Sequence, residues 1–165
     1  MTEKYLVFDI ETTGLRAIES KITCICAKDS EDNWFMKSGS DEKEIINEFL
    51  EFVGENKYSL IVSANGKDFD IPFLLIRSYV NDIPLTNLLW LLINHFDVIN
   101  DITFRRISLD DLAKILGFEV KTGNGLKAIQ LYNEGKYTEL VSYCSNDVLL
   151  TEKVFLKIKE IHKNA

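Results

Sequence analysis

Lys4-Tyr5-Leu6-Val7-Phe8-Asp9-Ile10-Glu11-Thr12-Thr13-Gly14 is the stretch on which the reading of this chain turns. A run of apolar, strand-forming residues ends in two acids separated by one residue, and the period of two along a strand sends both carboxylates to the same face. Carboxylates that close repel each other unless a cation lies between them, and an oxygen-rich pair suits Mg2+ or Mn2+. A lone Asp-x-Glu is more often a solvated strand end, so the meaning of Asp9 and Glu11 depends on what else the chain brings near them.

Residues 4–11, 21–29 and 33–38 read as three strands, rich in Val, Ile, Phe and Trp and separated by breaks at Gly14 and at Asp29-Ser30-Glu31-Asp32, the pattern of an antiparallel meander. Asp41 then opens an amphipathic helix with Glu44 in the capping-box position and Ile45, Ile46, Phe49, Leu50 and Val53 on one stripe; Gly54 is its expected end. Residues 59–65 have the short apolar character of a buried parallel strand. A helix over 68–80 follows, with Pro72 tolerable in its first turn. Residues 85–99 do not declare a period and read as a helix followed by a short strand carrying Phe96, Asp97 and Val98. Helical patterns return over 108–116, 126–132 and 137–162, with Gly123-Asn124-Gly125 as a turn that lacks the spacing of a nucleotide loop. Strands first, helices later and one strand-helix-strand crossover indicate an α/β fold with a mixed sheet.

Two further segments carry acids. Asn65-Gly66-Lys67-Asp68-Phe69-Asp70 joins the end of a strand to the start of a helix, where an Asp is usually a cap or a dipole partner, a role that suits Asp68 better than Asp70. Tyr143-Cys144-Ser145-Asn146-Asp147 lies in a helix whose Leu140, Cys144, Val148, Thr151 and Phe155 form the core stripe. Tyr143 and Asp147 are i,i+4 neighbours, so phenol and carboxylate point the same way beside that stripe. A carboxylate there needs a metal or a Lys or Arg partner, and the motif alone does not choose between them.

Composition narrows the classes. With 165 residues, 46% hydrophobic and 27% charged, the chain fits one well-buried core and reads as a single domain over 1–165. The three cysteines, Cys24, Cys26 and Cys144, form neither an even set nor a CxxC pair and read as reduced core thiols. His95 and His162 show no zinc-protease spacing. No apolar run reaches the roughly 18 residues of a membrane span, and the start lacks a basic leader, so the expectation is a cytoplasmic protein with no membrane contact. A net charge of −7 has the wrong sign for gripping a duplex through many phosphates; a nucleic-acid substrate would need bound cations.

The three acidic segments together resemble the DEDD exonuclease superfamily, the DnaQ-like proteins with an RNase H-like fold, including the proofreading domains of family B DNA polymerases. Phe8-Asp9-Ile10-Glu11-Thr12 looks like the first exonuclease motif, Asn65 with Phe69-Asp70 like the second, and Tyr143 with Asp147 like the third. The family divides by whether a Tyr four residues, or a His five residues, precedes its last Asp; with Ser142 and Tyr143 the resemblance is to the tyrosine type, DEDDy. It implies an RNase H-like fold with a mixed central β-sheet and helices on both faces. It also implies a 3′-5′ exonuclease that removes nucleoside monophosphates from the 3′ end of single-stranded or frayed DNA.

The same resemblance implies two divalent ions, Mg2+ or Mn2+, about 3.5–4 Å apart. Asp9 would bridge them, Glu11 and Asp147 would complete the ion that binds the attacking water, and Asp70 would hold the other. Tyr143, whose free phenol pKa of about 10 makes it a poor base, would orient that water. Thr12, Thr13 and Leu15 would lie beside the last nucleotides, Asn65 and Phe69 against sugar or base, and Asp97 would support the site from behind. For Leu15 and Phe69 a core role, and for Arg105-Arg106 a solvated pair, stay open beside a substrate role. The expected partner is a single-stranded 3′ end, DNA before RNA, with a separate polymerase or repair protein where the activity is proofreading. The rival expectations are an exoribonuclease or short-oligonucleotide nuclease, and a non-catalytic binding or scaffold subunit.

Overall fold

The computed structural model describes residues 4–85, 94–102, 107–120 and 125–163. The expected meander is present as β1 (Tyr5–Thr12), β2 (Ile22–Asp29) and β3 (Trp34–Ser38), antiparallel neighbours in that order. Helix α1 (Glu42–Asn56) crosses to β4 (Leu60–Ser63), which runs parallel to β1. Helix α2 (Asp70–Val80) precedes β5 (His95–Asp97), parallel to β4, so the sheet order is β3-β2-β1-β4-β5 and the chain makes two parallel crossovers where one was expected. Helices α3 (Leu109–Ile115), α4 (Gly125–Asn133) and α5 (Tyr137–Lys163) follow. Among the described residues no helix is long and apolar enough to cross a membrane.

Period two along β1 divides the core. Leu6, Phe8 and Ile10 enter a cluster with Ile45, Ile46, Phe49 and Val53 of α1 and Ile71, Phe73 and Leu74 of α2. Val7 enters a second cluster on the opposite face with Cys24, Cys26, Val62 and the α5 stripe Leu140, Cys144, Val148, Phe155 and Ile158. Both faces are therefore covered, which is why every residue of β2 is buried. Fully buried Phe49 touches Phe8 at a ring separation of 5.6 Å, and its truncation to Ala would cost about 3–5 kcal/mol.

Three boundaries differ from expectation for local reasons. Asp41 caps α1 by accepting from the Glu44 N–H at 3.0 Å, but the helix runs past Gly54, its last turn held by the Asn56 amide on the Phe52 carbonyl. It stops at Lys57, which takes a left-handed conformation and donates its N–H to Val53. Helix α2 begins at Asp70, two residues late, because the N–H groups of Asp68 and Phe69 are both spent on the Asn65 carbonyl in a turn. Strand β5 ends at Asp97, not Val98, since the Asp97 carboxylate accepts the N–H groups of Ile99 and Asn100 and bends the chain there. The helix expected before β5 falls on 86–93, outside the described residues, as do 103–106 with Arg105-Arg106 and 121–124.

Candidate active site

Asp9 and Glu11 share the sheet face that α5 covers, standing opposite Cys26 and Cys24 of β2. Strand β4 pairs with β1 only as far as Val7. Beyond that point the Ile10 N–H finds no strand partner and donates instead to Asp70 Oδ1 at 3.1 Å, which draws the first residue of α2 onto the edge of β1. From the other side α5 presents Tyr143 and Asp147, one turn apart, with Cys144 between them donating to the Asp9 carbonyl at 3.4 Å. Three chain segments thus deliver the five expected side chains to one region.

The electrostatics follow from that crowding. Burial first, then the charges of Asp70, Glu11 and Asp147, hold the Asp9 carboxyl well above its ordinary value. Burial and the neighbouring Asp147 and Asp70 push Glu11 up to about 9. Asp70 is raised by burial to about 7 although the Ile10 and its own backbone N–H groups pull the other way. Burial, then the charge of Asp110, lifts Asp147 to about 6. Tyr143 is raised above the usual phenol range by burial and by Asp147, Glu11 and Asp9, so its hydroxyl stays protonated at neutral pH. Among the described residues none of these four acids pairs with a Lys or Arg, although surface and core ion pairs occur elsewhere. Among the described residues, then, the alternative that the sequence left open for Asp147, a basic partner, is not found.

Two buried and two partly buried acids, hard oxygen donors with no basic neutraliser among the described residues, fit a divalent cation by charge and by chemistry. The tight part of the cluster is smaller than four carboxylates. Ligand atoms of Asp9, Glu11 and Cys144 lie within 4.8 Å of one another, and among the described residues neither Asp70 nor Asp147 joins any such group of three. A ready-made four-carboxylate cage for two ions is thus not the geometry present.

Beside Glu11 a hollow of about 320 Å³ is lined by Ile10, Glu11, Thr12, Gly14, Leu15, Phe69, Gly125, Leu126 and Ile129. Leu15 is 86% exposed at its mouth, so the core role does not apply to it. Phe69 is half-buried, its ring tilted against Phe73 at a centroid distance of 5.4 Å, and faces both the core and the hollow. The hydroxyls of Thr12 and Thr13 are engaged in the β1–β2 turn, Thr12 donating to the Gly14 carbonyl at 2.7 Å and Thr13 accepting the Lys21 N–H at 3.0 Å. Asn65 lines a separate hollow with Ala64, Ile99, Ile107, Ser108 and Leu109.

Asp97 has a defined task. Fully buried, it accepts the N–H groups of Asn65 and Lys67 at 2.8 and 3.0 Å as well as those of Ile99 and Asn100, and so fixes the turn that leads into Phe69 and Asp70. Sequence reasoning missed Leu126 and Ile129, whose apolar side chains lie on the hollow side of α4, and Asp110, whose charge reaches Asp147 and Tyr143. Leu126 is 71% exposed, and a solvent-facing Leu at the start of a helix gave no local signal.

A five-stranded mixed sheet with acids at the end of its first strand is the architecture of the RNase H superfamily, which the chain matches over residues 6–158; it belongs to that superfamily. A DNA polymerase of Archaeoglobus fulgidus is 25% identical over 185 residues, covering 96% of this chain and 23% of the relative. The structure of the family B DNA polymerase from the archaeon Pyrobaculum calidifontis shares the fold with a TM-score of 0.79 at 21% identity, over 97% of this chain and 24% of the other. The chain spans about a quarter of the length of each of these relatives.

Proposed function

We propose that the chain is a divalent-metal-dependent 3′-5′ exonuclease that releases nucleoside monophosphates from the 3′ end of single-stranded or frayed DNA. The observation that supports this reading is the convergence of four acids from β1, α2 and α5, Glu11 and Asp70 buried and Asp9 and Asp147 partly so, all with raised pKa and, among the described residues, no basic partner. Asp9 and Glu11 would hold Mg2+ or Mn2+ directly, with Asp70 and Asp147 closing around a pair of ions. Bound there, such ions supply Lewis-acid activation of water and charge neutralisation at the scissile phosphate.

Tyr143 contributes position. Its protonated hydroxyl donates a hydrogen bond that orients the attacking water and does not serve as the base. The apolar hollow of Leu15, Phe69, Leu126 and Ile129 accepts an unstacked terminal base by its face, without reading its identity. At a net charge of −7 the chain cannot hold a long phosphate backbone electrostatically, which favours contact with the last few nucleotides only. The likeness to DNA polymerases over about a quarter of their length supports a nucleic-acid substrate and a polymerase or repair protein as partner.

The test is degradation of 5′-labelled single-stranded DNA, duplex DNA and RNA of one sequence with Mg2+, Mn2+ or EDTA, alongside Asp147→Ala. The expected result is a ladder of 3′-shortened DNA products that requires metal and disappears in the variant. A single internal cut, or undiminished activity in EDTA, refutes it; preference for the RNA arm replaces DNA by RNA as substrate.

A further inference from the structure

The carboxylate region is bordered by a second, chemically different group of donors. Cys24 and Cys26 leave the same face of β2, the face α5 covers, and Cys144 meets them from α5. All three are fully buried, the Cys24 and Cys26 sulfurs are 3.8 Å apart, and the three sulfurs lie within 4.8 Å of one another. A tetrahedral ion with metal–sulfur bonds of about 2.3 Å holds its sulfurs about 3.8 Å apart. One pair already stands at that spacing, and the third thiol needs to close by at most about 1 Å to reach it.

A single buried cysteine is adequately explained as a small apolar filler. Three with converging sulfurs are a donor set for a soft d10 cation, and thiolate selects Zn2+ and its congeners over Mg2+ and Mn2+. We propose that Cys24, Cys26 and Cys144 form a thiophilic cation site for Zn2+, or Cd2+ as its congener, with Asp9 as fourth ligand. Asp9 Oδ2 lies 3.6 Å from Cys144 Sγ, and Asp9 is the register partner of Cys26. Cys144 belongs to both groups, since its sulfur also clusters with Asp9 and Glu11. The thiols have no surface of their own, whereas Asp9 is partly exposed, so the cation reaches them through the carboxylates. As the metal–sulfur bonds form, the thiols release their protons to solvent and no electrons move. If Asp9 works as proposed above, a soft ion seated here withdraws it from Mg2+ and inhibits the nuclease; this consequence rests on that reading, whereas the binding itself does not.

Cd2+ titration of the metal-free full-length chain, read by the ultraviolet thiolate-to-cadmium charge-transfer band, tests it. One Cd2+ per chain is expected, bound with the far-ultraviolet dichroism unchanged and undisturbed by excess Mg2+. Cys24→Ser, Cys26→Ser and Cys144→Ser should each weaken binding by roughly tenfold or more, and Asp147→Ala should not. No band in the wild-type protein, a band that appears only as the dichroism is lost, or unchanged binding in folded cysteine variants overturns the proposal. Should the variants fail to fold, the wild-type stoichiometry and dichroism decide alone. Cd2+ binding without DNA degradation would keep this inference and sink the exonuclease reading, and DNA degradation without the thiolate band would do the reverse.

Discussion

Removing divalent cations should make this protein lose stability as pH rises, and Glu11→Gln should remove much of that loss. Glu11 goes from 4.5 when unfolded to about 9 in the fold, raised first by burial and then by Asp147 and Asp70. Between those values the folded chain binds more protons than the unfolded one, so the folded state is favoured at low pH and penalised as pH climbs through the interval. At about 1.4 kcal/mol per pH unit, Glu11 titrating by itself sets a ceiling of about 6 kcal/mol across the interval. Water entering around the ionising site will lower that figure, leaving an expected loss of a few kcal/mol between pH 5 and pH 9. For a chain of this size that is roughly a 10 °C fall in melting midpoint. The assay is thermal melting in EDTA across pH 5 to 9, repeated with Mn2+ and with Glu11→Gln. The midpoint should fall with pH in EDTA, recover with Mn2+ and flatten in the variant. A midpoint that stays level or rises with pH in EDTA, or one that behaves alike in wild type and Glu11→Gln, would show that Glu11 does not carry such a pH dependence.

On the proposed mechanism Tyr143→Phe removes the hydroxyl that would orient water and should lower kcat about a hundredfold with little change in KM, measured on single-stranded DNA. Phe69→Ala strips the hollow of its stacking ring and should raise KM by roughly tenfold while leaving kcat nearly unchanged. Asp97→Ala leaves the N–H groups of Asn65, Lys67, Ile99 and Asn100 without their acceptor and should cost about 3 kcal/mol in denaturant melts. Gly66→Ala drives a Cβ into Ser63 Oγ and to 2.6 Å from Ser63 Cβ, an overlap worth about 1–3 kcal/mol by the same melts, and adding Ser63→Gly should return part of it.

What could be read from the chain were the features written in short-range pattern. The alternation of Leu6, Phe8 and Ile10 against Val7, Asp9 and Glu11 fixes which face of β1 carries acids, and the stripe through Ile45, Phe49 and Val53 fixes α1. The i,i+4 pairing of Tyr143 with Asp147 was legible for the same reason. What depends on register between distant segments was not. Asp97 lies opposite Ser63 only because β5 runs parallel to β4, and its grip on the turn at Asn65 follows from that pairing. Asn65 therefore faces a hollow away from Phe69, although the two are near in sequence. Thr12 and Thr13 carry hydroxyls that suit a ligand, yet the turn to β2 claims both. The convergence of Cys144 with Cys24 and Cys26 likewise required knowing that α5 lies across β2.

On the reading proposed above, the acids of β1, α2 and α5 need a divalent cation among them. Diffraction from crystals soaked in Mn2+, collected at a wavelength where manganese scatters anomalously, tests it most directly. An anomalous peak within bonding distance of Asp9 and Glu11, lost in Asp9→Asn, is the expected result. A peak elsewhere on the molecule with none at these residues, or a lysine ammonium or arginine guanidinium found neutralising them, would contradict this.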